Sequence, residues 1–377
     1  MENATILTEK KRRYDLDWLR VIAILAVYLH HIGMPFNGDE FHIMNTQSSK
    51  VLDDIMVFFE QFRLPLLFLI SGTGTMFAFS KRTWLMFLKE RSTRLLIPLF
   101  FGVLFIVPPQ TYYEHPNKYN SYIDVYRNSS FGVNHLWFIE NLFIMSVVLI
   151  PLILLLKSPK SDRMISFLEK ITAKKYGILI WVVPLIIGTV LLKSIFQSDS
   201  KAITNLSSTF YYGYFLVAGM LFTASKYIWN HLKEHRKFNF IALVICVILF
   251  YGYYLLPNAA IAPYLSIASR WNIWYVVCAL ISWTLVTTLL GYGQIWFNKK
   301  SALLKKCNEA IYPFYIVHQT VIIIVGYYII QLELSIPSKM ALLVFISFPL
   351  IIIIYRTLIY PFKIPRILFG MKKKDTS

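Results

Sequence analysis

The sequence predicts an all-α polytopic integral membrane protein of about ten transmembrane helices, with both termini in the cytoplasm. Three observations carry this reading. The 377 residues are 56% hydrophobic with a mean hydropathy of +0.54, too apolar for a soluble globular chain. Apolar runs of membrane-spanning length recur along the whole chain. Basic residues crowd alternate loops between those runs.

The runs lie near 18–36, 55–79, 95–110, 136–156, 177–196, 206–224, 238–256, 272–297, 311–331 and 340–360. The third is short and proline-rich, which predicts a broken or tilted span. Residues 1–16 read as a cytoplasmic segment: Lys10, Lys11, Arg12 and Arg13 precede the first run. No small-residue cleavage site follows, as in an uncleaved anchor. Of the 38 lysines and arginines, 29 fall on one set of alternate loops, 7 on the other, and Arg20 and Arg63 within spans. That asymmetry predicts an even number of spans and a basic cytoplasmic tail over 361–377. The net charge of +18 is therefore a topology signal, which excludes a nucleic-acid groove, and the expected location is the cell (inner or plasma) membrane, crossed many times. Cys246, Cys278 and Cys307 are far apart with no metal-ligand spacing, so neither a metal site nor a disulfide is expected. No repeat or soluble module interrupts the plan, which reads as one membrane domain over 1–377; the aromatic and polar stretch 110–135 is placed to fold over a cavity mouth.

Within the first run, Arg20 and His31 are eleven residues apart. Just over three helical turns put them on nearly the same face, about 16 Å apart along the axis. His30 is rotated about a quarter-turn away. Ionisable groups inside a span mark functional sites by default, although Asp17, one turn before Arg20, offers a plain ion pair. With Arg91 and Arg94 at the cytoplasmic start of the third span, Arg20 suggests a phosphate-rich donor held by forked guanidinium groups; ordinary positive-inside anchoring is the alternative. Glu60 and Arg63, one turn apart, suit mutual neutralisation, or orientation of His31. His135, Trp137, Glu140 and Asn141 open the fourth span, where His135 contacts an acceptor or caps a helix and Trp137 does the same or joins an aromatic belt. His318, preceded by Tyr312 and Tyr315, reads as a packed, hydrogen-bonded interior residue. Ser71-Gly72-Thr73-Gly74 suits close helix packing, and Ser71 as a nucleophile has no base beside it in sequence. A histidine in a dry pocket can take the proton of an attacking hydroxyl, as acyl transfer to a sugar alcohol requires. No GxSxG, P-loop, dinucleotide or HExxH motif is present.

Several of these stretches have a familiar look. Tyr14-Asp15-Leu16-Asp17-Trp18-Leu19-Arg20 with His31 eleven residues beyond, Leu67-Phe68-Leu69-Ile70-Ser71-Gly72, Arg91-x2-Arg94 with Pro98, His135-Leu136-Trp137-Phe138 and Tyr315-Ile316-Val317-His318 together resemble the membrane acyltransferase family, type 3. The resemblance covers nearly the whole chain. It implies a membrane O-acyltransferase that carries an acetyl- or succinyl-type group from cytoplasmic acyl-CoA to a hydroxyl of an envelope carbohydrate or lipid-linked sugar. Acyl-CoA would be a substrate, and no permanently bound cofactor is expected; the other partners would be membrane lipids and the glycan, not nucleic acid. It assigns donor binding to Arg20 and transfer chemistry to His31. The Leu99-to-Tyr113 stretch, with Pro108-Pro109-Gln110-x-Tyr112, is similar to the branch of periplasmic glucan succinyltransferases. Whether acyl passes through a covalent intermediate stays open. The rival reading is a transporter with Arg20, Glu60, Arg63 and His31 in a substrate or proton path; the crowding of polar residues into the first four spans, without inverted symmetry between halves, speaks against it.

Overall fold

The computed structural model describes residues 12–79 and 82–372 and contains no strand among them. Lys10, Lys11, Lys81 and Lys373–Lys374 of the charge pattern lie outside the described residues. The helices in chain order are α1 (Tyr14–Asn37), α2 (Lys50–Phe79), α3 (Trp84–Glu114), α4 (Ile123–Arg127), α5 (Asn134–Val148) and α6 (Ile150–Leu156). Then come α7 (Asp162–Thr172), α8 (Gly177–Ile195), α9 (Leu206–Ala224), α10 (Lys226–Glu234), α11 (Arg236–Tyr254) and α12 (Asn258–Ile261). The last four are α13 (Ile267–Trp296), α14 (Ala302–Ile329), α15 (Ile336–Ile359) and α16 (Lys363–Leu368).

Eight of these, among the described residues, are long and apolar enough to cross a membrane, or nine if α5 and α6, bent by 55°, form one span. The sequence predicts about ten. The difference is α9, a 19-residue helix diluted by Ser207, Ser208, Tyr211, Tyr212 and Tyr214. The first span also starts earlier than expected, at Tyr14, inside the segment 1–16. The third is longer than expected: α3 runs for 31 residues and contains two wider-wound π segments, Ser92–Leu96 and Gly102–Ile106. Its prolines account for how it is held. Proline has no N–H, so Pro98 and Pro108 remove the helical donors for the carbonyls of Arg94 and Leu104. The hydroxyls of Tyr312 and Tyr126 donate to those two oxygens, each at 3.0 Å.

The helices cluster into two compact units. The first comprises the described part of Met1–Arg20, Gln61–Trp84 and Met145–Lys300. Its core is Trp283, fully buried among Trp181, Tyr214, Phe215 and Phe222, with its indole N–H donating to Ile178 O at 2.8 Å. Here α2 and α9 cross backbone against backbone. A Cβ added at Gly72 would collide with the Leu216 carbonyl, and one at Gly219 with the Leu69 carbonyl, so the small-residue stretch does serve close packing. Thr73 hydrogen-bonds Gly219 O at 3.2 Å across the crossing. Gly219→Leu is therefore expected to lower the thermal midpoint sharply, since overpacking costs about 1–3 kcal/mol or more. Gly252→Leu, where nothing lies within 4 Å of an added Cβ, serves as the silent control in the same melting experiment.

The second unit comprises Val21–Glu60, Leu85–Ile144 and the described part of Ser301–Ser377. At its centre α14 presents a nearly continuous buried stretch from Pro313 to Ile323.

Candidate active site

Within the second unit, α14 brings the unusual polar residues of four chain segments into one hydrogen-bonded cluster. His318, 1% exposed, lies with its Nε2 2.8 Å from His31 Nδ1 on α1. His318 Nδ1 lies 2.5 Å from Tyr315 O, one turn back on its own helix. The His135 ring, at the start of α5, meets the His318 ring edge-on with centroids 5.4 Å apart. The Tyr315 hydroxyl donates to His135 O at 2.5 Å, which ties α14 to α5 at this level.

Beside this group the network continues through amides. His135 Nε2–H donates to Ile316 O at 3.0 Å, because a carbonyl can only accept. His135 Nδ1 then carries the lone pair and faces Gln110 Nε2 at 3.3 Å. Gln110, fully buried, also donates to Thr320 Oγ1 at 2.7 Å and accepts from Asn134 at 3.2 Å and Gln319 at 3.1 Å. Gln319 Nε2 also donates to His42 Nε2 at 3.0 Å, leaving the proton of His42 on Nδ1, which donates to Glu114 Oε2 at 2.7 Å. Buried polar groups are tolerated when every member finds a partner, and such a network then fixes one geometry.

The connection between α1 and α2 forms a wall of the cluster. Phe41 stacks on His31, with centroids 6.0 Å apart and planes 19° apart, and His42 follows it. The connection is held down by Asn45 N–H to Pro35 O at 2.9 Å and Ser49 N–H to Phe36 O at 2.8 Å. Lys339, 5% exposed, adds donations from its ammonium to Asn45 Oδ1 at 2.7 Å and Ile330 O at 2.8 Å.

Arg20 belongs to the first unit. It lines a cavity of about 230 Å³ with Arg12, Arg13, Leu16, Asp17, Ile70, Thr73, Gly74 and Phe77. Asp17 lies 3.5 Å from Arg20, so the ion pair is present, and it also accepts from Arg12 at 2.8 Å. Arg13 forks onto buried Asp15 at 2.6 and 2.9 Å and covers the Trp229 ring at 4.1 Å. The cavity lining carries three guanidinium groups against one carboxylate. A site with that excess and an apolar floor suits a polyanion with an organic body.

Of the other residues singled out by sequence, Arg91 and Arg94 lie in the second unit, Arg94 against Glu90 at 3.1 Å and Arg91 over Phe87 at 5.1 Å. Glu60 lies 3.4 Å from His30 Nε2, so the second histidine of the pair faces a carboxylate while His31 faces another imidazole. Arg63 is buried in the first unit. Trp137 and Glu140 stand half-buried in the first two turns of α5, and Ser71 lies on the packed stretch of α2. The sequence reading quoted Gln110 only within the Pro108-Pro109-Gln110 stretch and assigned no role to Thr320, Gln319, His42 or Glu114, which lie in three separate stretches of the chain. It took Arg12 and Arg13 as topology signals alone; their position about two turns before Arg20 was the available clue.

A family profile described as an acyltransferase domain matches residues 13–356. The chain belongs to the acyltransferase-3 family. It is therefore a membrane acyltransferase. It is 22% identical over 340 residues to the glucans biosynthesis protein C of Shigella dysenteriae serotype 1 and to that of Escherichia coli K12, the alignment covering 85% of this chain and 84% of each relative. No solved structure matches the chain.

Proposed function

We propose that this acyltransferase moves an acyl group from coenzyme A to a hydroxyl of an envelope carbohydrate, with Arg20 holding the donor's phosphates and His31 as general base. The observation that carries the reading is the pairing, on the single helix α1, of an arginine lining a three-guanidinium cavity with a histidine whose ring is fixed by its neighbours. Guanidinium groups bind phosphate as planar forks, and a base must be oriented as well as present. The names of the relatives point to a glucan as the acceptor class.

In this reaction the acceptor hydroxyl oxygen attacks the thioester carbonyl carbon and gives its proton to His31. The tetrahedral intermediate collapses with cleavage of the C–S bond. The departing thiolate recovers the proton from the His31 imidazolium, so the products are an ester and the free thiol, and His31 returns to its neutral form. Direct transfer balances without an enzyme-bound acyl group. His135, Trp137, Glu140 and Glu60 would border the acceptor. Both termini would then face the cytoplasm, where the donor is made.

The test is acyl transfer by the purified protein in lipid nanodiscs, with acetyl- and succinyl-coenzyme A as donors and a linear glucan oligosaccharide as acceptor, read by mass spectrometry. The expected result is one added acyl mass on a hexose with one of the donors. No product above that of His31→Ala with either donor would overturn the reading.

A further inference from the structure

We propose that His318 is a positioning residue that holds His31 in one tautomer, with the proton on Nδ1 and the lone pair on Nε2. This rests on the reading of His31 as the base. It goes further by naming the nitrogen that does the work and the residue that selects it.

With His318 neutral, its two hydrogen bonds fix the assignment. Tyr315 O, a carbonyl, can only accept, so the nitrogen 2.5 Å from it, His318 Nδ1, carries a proton. A neutral His318 then has its lone pair on Nε2. The nitrogen facing that lone pair at 2.8 Å is His31 Nδ1, which must therefore be the donor. His31 is left basic at Nε2, the nitrogen on the far side of its ring from His318. The second nitrogen of a working histidine is commonly fixed in this way, because that bond sets both tautomer and ring orientation.

His318 is built to hold its place. It is 1% exposed, its ring lies parallel to Phe314 within 4°, and the turn carrying it is tied to α5 by the Tyr315 hydroxyl. The His31 and His318 rings lie within 21° of each other with centroids 5.0 Å apart, which suits a bond in the ring planes. The partner is an imidazole where a carboxylate would be the commoner choice. When His31 accepts the hydroxyl proton at Nε2, the Nδ1–H bond to a neutral ring spreads the new positive charge over two imidazoles without a buried ion pair. When the leaving thiolate takes the proton back, both rings return to the starting tautomers.

The test uses the full-length protein in nanodiscs. His318→Ala should lower kcat by about 10- to 100-fold, the size expected for loss of such an orienting partner, with KM for donor and acceptor unchanged. His318→Gln, whose amide oxygen can accept from His31 Nδ1, should recover at least part of that loss. Independently, nitrogen-15 NMR of histidine-labelled wild-type protein should show His31 protonated at Nδ1 at neutral pH, a readout that needs no variant to fold. An unchanged kcat in His318→Ala, a loss confined to KM, or His31 protonated at Nε2 would each overturn the proposal. If His31→Ala itself retains transfer, the base assignment fails, while the NMR measurement still decides the tautomer.

Discussion

His31→Ala is expected to lower acyl transfer by about 10²–10⁴-fold, the contribution of a positioned general base, while the protein still inserts and elutes as a single folded species. His30→Ala, which removes the ring facing Glu60 and not the one facing His318, should lose far less. The sign of the pH dependence follows from the chemistry. A base must be unprotonated to accept the hydroxyl proton, so kcat should fall as the pH drops through the pKa of His31 in the complex. The groups that face its ring cluster are His318 and His135 from α14 and α5, and His30 with Glu60 on its own side. A pH series on wild type, His31→Ala and His30→Ala measures all of this. A fully active His31→Ala would remove the base assignment and return attention to a transport path through the first spans.

The second large effect is expected at Arg20. Lysine keeps the charge but presents a point donor in place of a planar fork. A charge-assisted hydrogen bond is worth about 1.5–3 kcal/mol, so Arg20→Lys should lose about tenfold to a hundredfold in kcat/KM for the acyl donor. Arg12 and Arg13 line the same cavity, but their guanidinium groups are held closely, by Asp17 at 2.8 Å and Asp15 at 2.6 Å, whereas Arg20 lies 3.5 Å from Asp17. Arg12→Lys and Arg13→Lys should accordingly cost less. Donor titrations at saturating acceptor separate the cases, and wild-type kinetics in Arg20→Lys would leave Arg20 as the partner of Asp17 alone.

The fold was largely legible because hydropathy is a property of contiguous sequence: apart from the third run, which is longer, and the fourth, which is bent into α5 and α6, the apolar runs correspond to helices of similar bounds. What hydropathy could not supply was the internal winding of the third span. The short run near 95–110 extends to Trp84 and Glu114 because tyrosines distant in sequence, Tyr126 and Tyr312, satisfy the carbonyls that its prolines abandon. The site was legible in part. Arg20 and His31 stood out because charge inside a span is costly wherever it occurs. His318 was expected to be hydrogen-bonded and buried, and it is; its partner was out of reach, since nothing local relates residue 318 to residue 31. Gln110 was noted only as part of a motif, and Gln319 and Thr320 were given no role, for the same reason. A buried amide in a membrane protein is informative only through its partners, and those lie some 200 positions away.

The fastening of the α1–α2 connection changes how this stretch of chain should be regarded. Links between spans are where epitope tags, fluorescent fusions and protease sites are routinely inserted, and where natural variation in length accumulates. Here the backbone bonds of Asn45 and Ser49, the Lys339 clamp and the Phe41 stack make the link part of the wall around His31. Lengthening or cutting it is expected to disturb that wall and lower transfer. Reporter insertions belong elsewhere, and a homologue with a longer link at this place would need a different way to wall in its histidine.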